Sequence, residues 1–335
     1  MLLSIIIVNY KSTRYILDCL QSAESSLIQN KEIEWIIVDN DSKDDAHQII
    51  SNSYPQVQFV QMGYNAGFAR ANNAGIRIAK AEQVLLLNPD TLIVPGMIEQ
   101  CLERLIHSNH VAAGVQLIYP NHQPQFSGSY FMLGGLNHLL PLPYWGASLK
   151  AIVSLFTKNK PAIIQAEKEQ EVDWVSGAFL MVKQNAIKQS GLMDEDFFLY
   201  GEEVEWCSRL KKIGTICIYG DLQIIHLIGQ TIQEATQSSD NSYTNLSDKK
   251  GLQLMLSNHL RIRKQYGVIW FLFQLLNYTW APIYAYIMSF ILHLVHVMNP
   301  FTDFKMITGV AKNVIRLWIW VPSILMGKKQ LYKGI

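Results

Sequence analysis

The chain has 335 residues, a formal net charge of +1, 16% charged residues and 49% hydrophobic ones. The near-zero charge excludes a protein that works through a global basic field on nucleic acid, and the length holds one large domain with an appendage, or two domains. Charge is low and apolar content high for a wholly soluble protein, and the apolar excess gathers after Gly267. Cys19, Cys101, Cys207 and Cys217 are scattered with no C-x-x-C pair, which argues against a zinc ribbon or a disulfide scaffold and suits a reducing compartment.

The first apolar run, Ser4–Val8, has no basic residues before it and ends at Asn9. It is too short for a signal peptide and reads as the first strand of a domain on the cytoplasmic side. Ser12 is placed to cap a helix whose Ile16, Leu17, Leu20 and Leu27 recur at helical spacing. A second strand is expected over Glu34–Val38, a polar helix over Lys43–Ser51 and a third strand over Val57–Val60. Ala71, Ala74, Ile78 and Ala81 give one apolar face to a helix from Gly67 to Lys80. Val84–Leu87 is a fourth strand. Pro95 suits the first turn of a helix that continues through Ile98, Leu102 and Leu105, and Val111–Tyr119 is a fifth strand. Strands alternating with helices predict an α/β fold with right-handed crossovers and a doubly wound, mostly parallel sheet flanked by helices.

Residues 120–170 break this rhythm with Pro120, Pro124, Pro141, Pro143 and Pro161 among interleaved aromatics. Such a segment reads as a functional loop or lid on the acceptor side. A strand with Gly177 inside it is expected over Val172–Val182, where glycine marks a bulge or a close ligand approach. An acidic stretch follows. Glu202 and Glu205 open a helix, where the macrodipole favours negative charge, and the helix runs to about Ile213 and stops at Gly214. Two short strands are expected at Thr215–Tyr219 and Gln223–Leu227, with His226 near the end of the second.

Asp39 and Asp90 carry the most chemistry. Each follows a short, continuous apolar run of the kind that forms a strand buried on both faces. A carboxylate at the end of such a strand lies in the crevice where open α/β sheets bind ligands. Two of them suggest a nucleotide and metal site. The plainer reading makes each a cap for a loop or a following helix.

In order along the chain, Ile6–Tyr10, Ile37–Asp41, Asn65–Gly75, Leu87–Thr91 and Phe197–Glu205 with His226 beyond resemble the family-2 inverting glycosyltransferases of the GT-A fold. The resemblance covers the first 230 residues or so and is nearest to the rhamnosyltransferase-like members that build bacterial cell-surface polysaccharides. It implies that Asn9, Tyr10 and Asp39 cradle the donor nucleotide. It also implies that Asn65, Gly67, Phe68, Asn72 and Asn88 line the donor site, the helix start offering N–H groups to an anion. Asp90 matches the last acid of the family's D-x-D motif, whose first position here is Asn88. Asp90 with His226 is then the expected holder of Mg2+ or Mn2+, which favour oxygen ligands and keep several waters. Gln230 and Thr231 are further candidates for holding phosphate. Glu203 matches the position of the catalytic base, usually Asp in the family; Glu202 and Glu205 are the other candidates. The expected reaction is transfer of one sugar, with rhamnose as the family-level choice, from a dTDP- or UDP-sugar to a polyprenyl-diphosphate-linked or oligosaccharide acceptor.

Other readings fit less well. A nucleotidyltransferase calls for a Gly-rich basic loop after strand one, where this chain has Asn9–Thr13. A dinucleotide-binding dehydrogenase needs G-x-G-x-x-G there. A processive synthase is expected to carry Q-x-x-R-W, which is absent. A catalytically inactive, transferase-like scaffold at the membrane stays open, because Asn88 and Glu203 depart from the family pattern.

The expected organisation is a transferase domain over 1–230 (donor half 1–118, acceptor loop 120–170, base-bearing half 171–230), a linker helix region over 231–265 and membrane-associated helices over 266–335. Val268–Met298 contains no Asp, Glu, Lys or Arg, enough to span a bilayer. With Pro282 inside it, one span and a kinked or re-entrant helix pair are equally compatible. Phe304, Ile307, Ala311, Val314, Trp318, Val321 and Leu325 predict a helix lying in the headgroup layer. Flanking basic residues favour anionic lipids on the cytoplasmic face of the plasma membrane. A dimer interface or a buried helical subdomain is the plainer reading of the same tail.

Overall fold

A computed structural model describes residues 1–23, 27–28, 30–154, 163–227, 245–294 and 300–335. The chain begins with β1 (Leu3–Asn9), α1 (Thr13–Ser22), β2 (Ile33–Asp39), α2 (Ala46–Ser53), β3 (Gln58–Gln61), α3 (Phe68–Ile78) and β4 (Gln83–Leu87). It continues with β5 (Thr91–Leu92), α4 (Met97–His107), β6 (Ala112–Ile118), β7 (Gly128–Ser129), a 3-10 helix at Leu133–Leu139 and α5 (Trp145–Ser154). Then come β8 (Glu169–Val172), β9 (Trp174–Val175), β10 (Phe179–Lys183), α6 (Gln184–Ser190), α7 (Glu202–Leu210) and β11 (Ile216–His226). The last three helices are α8 (Lys249–Tyr266), α9 (Val268–Leu294) and α10 (Pro300–Leu325). Two compact units result: Met1–Tyr130 with Ala162–Phe198 and Glu202–Ala235, and Phe131–Pro161 with Leu199–Gly201 and Thr236–Ile335.

The first unit holds a nine-stranded sheet in the order β3-β2-β1-β4-β10-β6-β11-β5, with β8 also on β11. β1, β2, β3 and β4 pair in parallel, as do β6 and β11. β10 runs antiparallel to both β4 and β6, and β5 and β8 run antiparallel to β11, so the sheet is mixed. β1, β2, β4 and β6 are buried at every position. That is why their sequences are near-continuous apolar runs: helices cover both faces, and two hydrophobic clusters form around them.

Several expected boundaries shift for physical reasons. Lys43 has a left-handed φ of 60°, so α2 starts only at Ala46, whose N–H donates to Asp44. The Ser12 hydroxyl precedes α1 but donates back to the Tyr10 carbonyl instead of capping. Pro95 lies outside α4, because Gly96 turns the chain with φ 73° before Met97. The strand expected over Val172–Val182 divides into the end of β8, then β9 and β10, the last two parted by a turn, Phe179 N–H to Ser176 O. The two strands expected after Gly214 are one, β11, whose pairing with β6 shifts register between Tyr219 and Gln223.

In the second unit, α8 is capped by Asp248, whose carboxylate accepts from Gly251 N at 2.7 Å. Asn313 on α10 donates to the Leu246 and Asp248 carbonyls, which fastens α10 to the start of α8. α9 is one helix with Pro282 inside it. At 1.5 Å per residue its 27 residues span about 40 Å, long enough to cross a bilayer core. The buried face of α10 is Ile307, Val310, Val314, Leu317, Val321 and Ile324. The single apolar stripe expected there is therefore split, and Trp318 lies on the exposed side.

Candidate active site

The carboxyl ends of β1 and β2 meet in register at Asn9 and Asp39. Asn9 Nδ2 donates to Asp39 Oδ1 at 2.9 Å, and Asn9 Oδ1 accepts from Ser12 N. Asp39 also accepts from Ser42 N, the Ser42 hydroxyl and Gln61 Nε2. Two carboxylate oxygens offer about four acceptor sites, and protein donors fill them all. Asp39 is thus the hub that joins the loops after β1 and β2. In those loops Lys11 and Asp41 have φ of 58° and 70°, a backbone state uncommon for non-glycine residues and enriched at functional sites. Tyr10 is in the first loop with the Lys11 ammonium 5.5 Å from its ring centre.

Asn40 carries the network onward. Its Nδ2 donates to Asn65 Oδ1 at 3.1 Å and its Oδ1 accepts from Ala66 N at 2.8 Å. Gly67 follows with φ 83°, and a Cβ there would lie 2.4 Å from the Phe198 carbonyl oxygen. That same oxygen accepts from Phe68 N at 2.8 Å, and Gly67 N donates to Asn65. Two N–H groups at the start of α3 are therefore engaged within the protein. Asn72 donates to the Phe68 carbonyl inside α3. Asn73, Arg70 and Arg77 bind the 193–195 segment, Asn73 and Arg77 through the Glu195 carboxylate and Arg70 through the Glu195 carbonyl. The Arg77 guanidinium helps hold that carboxyl below its usual range against the opposing effect of burial.

The second cluster lies at the end of β4. β5 pairs with the last two residues of β11, setting Thr91 opposite His226, and Leu227 N donates to the Asp90 carbonyl. The His226 ring therefore reaches Asp90: Nε2 to Oδ1 is 3.4 Å, both side chains buried. Asn88 Nδ2 is 3.5 Å from the same nitrogen. Gln125 settles the tautomer. Its Nε2 donates to the His226 carbonyl at 2.6 Å, so its Oε1 faces Nδ1 at 3.0 Å and accepts the ring proton. Nε2 is then the ring nitrogen turned toward the carboxylate, the orientation in which an imidazole can ligate a metal. Among the described residues no three His, Cys, Asp or Glu gather. Asp90 and His226 offer two ligands, which fits a magnesium or manganese ion that takes its remaining oxygens from diphosphate and water.

The three candidate bases separate by environment. Glu205 is buried and forked by Arg209, whose Nε and Nη2 both donate to it. Glu202 is buried with Oε2 lacking a hydrogen-bond partner. Burial, then the neighbouring Glu203 charge, holds its carboxyl well above the usual range. Glu203 is half-buried and faces the 176–178 turn. A methyl on Gly177 would sit 3.6 Å from both Glu203 Cβ and the Phe68 ring. The adjoining Ala178 carbonyl accepts from Asn88 N at 3.0 Å, which links Glu203 to the β4 end. Phe126, exposed beside Gln125, packs against Trp174 with ring centres 5.5 Å apart.

Sequence reasoning did not identify Gln125, Gln61 or Glu195. Gln125 stands in a stretch without periodicity, and its bonds to β6 together with the β6–β11 pairing bring it to His226. Gln230 and Thr231 lie outside the described residues.

The family model of glycosyl transferase family 2 matches residues 4–171. The chain is 30% identical over 224 residues to the low-salt glycan biosynthesis hexosyltransferase Agl10 of Haloferax volcanii, covering 63% of this chain and 62% of that protein. It is 27% identical over 215 residues to the N-acetylglucosaminyl-diphospho-decaprenol L-rhamnosyltransferase of Mycobacterium tuberculosis, covering 59% and 67%. Among solved structures, S. aureus TarS 1-349 in complex with UDP aligns with a TM-score of 0.51 at 14% identity, over 79% of this chain and 67% of that one, a likeness of fold. The chain belongs to glycosyl transferase family 2.

Proposed function

We propose that this chain is an inverting glycosyltransferase that moves one sugar from a nucleoside-diphosphate sugar to a hydroxyl of a lipid-linked or polysaccharide acceptor at a membrane. The observation that carries this reading is the meeting of Asp90 with Nε2 of His226 at the carboxyl end of the sheet. The names of the relatives support the substrate class: one acts on a decaprenol-linked sugar, and another is the dTDP-rhamnosyl transferase RfbF of Shigella flexneri, 25% identical over 178 residues.

In the proposed mechanism the acceptor oxygen attacks the anomeric carbon, the bond to the nucleoside diphosphate breaks, and Glu203 takes the acceptor proton. A divalent ion, when bound, would offset charge on the departing diphosphate. Asp90 and His226 would hold that ion, and Gln125 keeps the His226 proton on Nδ1. Asp39 and Asn9 shape the nucleotide cradle from behind, because the Asp39 oxygens are already occupied. Phe126 and Trp174 offer an aromatic face on which an acceptor sugar stacks. Glu205 serves structure through Arg209. A membrane setting fits a donor from water and an acceptor on a lipid, and the basic, apolar C-terminal helices supply the attachment.

The test is release of nucleoside diphosphate from a panel of nucleotide-sugars, with and without magnesium or manganese. Metal-dependent release from one donor supports the reading. Nucleotide binding without release, even with a lipid-linked acceptor present, favours the inactive scaffold.

A further inference from the structure

We infer that α9 and α10 form one lipid-binding surface that lies in the plane of a single leaflet, and that α9 does not cross the bilayer. The inference rests on the membrane attachment proposed above and adds its geometry. α9 is two-faced from Phe271 to Ser289. Ile269 (83% exposed), Leu276 (65% exposed), Ile283, Ile287, Phe290 and Leu294 face outward at helical spacing. The opposite side is packed, with polar groups bonded within it. Gln274 donates to the Gly134 and Gly135 carbonyls at 2.9 Å, and the Tyr278 hydroxyl donates to the His138 carbonyl at 2.8 Å. Asn277 accepts from Trp145 and Tyr284 pairs with Ser148. The His259 ring of α8 packs on Phe271 and Tyr278.

These contacts run through the middle of α9. A crossing helix would carry α8 with it, and α8 holds Arg261, Arg263 and Lys264. Such charges cost more the deeper they are drawn in, up to about 2.5–3.5 kcal/mol each at mid-bilayer. A helix lying in the interface with one face about 5–10 Å deep meets no such cost.

α10 extends the same surface. Ile315 (69% exposed) and Ile319 (73% exposed) face outward, and Trp318 Nε1 donates to Thr279 on α9 at 3.1 Å. Exposed Lys312 and Arg316 stand between these apolar residues at i, i+3, i+4 spacing, and Lys328 and Lys329 follow Met326. Residues 245–335 carry eleven Lys and Arg, two Asp and no Glu. That charge selects the occupant. A second copy on a two-fold axis would set cation against cation, whereas anionic headgroups meet the cations while the isoleucines enter the acyl region.

The experiment uses the full chain with preformed vesicles, with a nitrobenzoxadiazole probe on Ile269→Cys or Leu294→Cys. The four native cysteines are buried. The expected result is flotation with phosphatidylcholine–phosphatidylglycerol vesicles, about tenfold weaker for Lys312→Gln with Arg316→Gln and weaker in high salt. Dithionite added outside is expected to bleach both probes. Flotation with one probe protected overturns the in-plane geometry while leaving membrane attachment standing. Failure to float, with a dimer by light scattering, overturns the lipid surface itself. Donor hydrolysis in the same samples reports separately on the catalytic reading.

Discussion

His226 and Asp90 lie far apart in sequence, yet their side chains approach to 3.4 Å because β5, only two residues long, pairs with the end of β11. Gln125 then fixes the ring from the other side. The candidate centre thus depends on a residue that bonds the His226 ring and carbonyl. Replacing Gln125 with Leu removes the acceptor for the Nδ1 proton and frees the tautomer. The expected result is a metal activation constant raised about 10–100-fold, with a lowered melting temperature because the buried His226 carbonyl also loses its donor. Titration of activity against manganese checks it.

Gly67 and Gly63 have similar positive φ, 83° and 76°, but only Gly67 faces backbone at short range. Gly63→Ala is expected to cost about 1 kcal/mol from φ alone. Gly67→Ala adds a clash with the Phe198 carbonyl and is expected to cost about 2–4 kcal/mol. Chemical denaturation of both variants checks the difference.

Much of the donor half was legible in the sequence. β1, β2 and β4 are buried on both faces, so they had to be apolar runs, and their polar endings marked the site. The rest was hidden for identifiable reasons. Gly96 at φ 73° and Lys43 at φ 60° move helix starts in ways that residue type alone does not announce. Gln125 belongs to an aperiodic stretch. α10 has apolar residues on both its packed and its exposed side, so spacing merged two faces into one stripe. Asp39 was legible as a strand-end acid, but the four donors that surround it come from three separate segments.

Glu202 gives a pH signature. Its folded carboxyl is held well above the usual range by burial, so the folded state keeps a proton that the unfolded state loses. The stability it contributes is complete below the unfolded value of about 4.3 and is lost as pH rises through its folded value. Glu202→Gln removes that loss. Its melting temperature is expected to match the parent near pH 4 and exceed it progressively at higher pH. Calorimetric scans across that range test this, and parallel curves would refute it.

His259 gives the opposite slope in the second unit. Burial lowers its folded pKa to about 4, against a weaker opposing bond to the Met255 carbonyl. Its contribution is present above about 6.5 and lost as pH falls through about 4. His259→Gln is expected to flatten the acid limb of the melting curve, read by thermal unfolding between those two values.

Glu205 and Glu203 separate structure from chemistry. Glu205→Gln leaves Arg209 without its paired carboxylate and is expected to cost about 2 kcal/mol while the enzyme still turns over.

The most direct measurement pairs turnover with donor affinity for Glu203→Gln, on a lipid-linked acceptor in detergent. The account predicts a turnover loss of about 100-fold or more, with the donor dissociation constant and melting temperature unchanged. Turnover close to that of the parent chain would contradict Glu203 as the base, and with it the proposed mechanism.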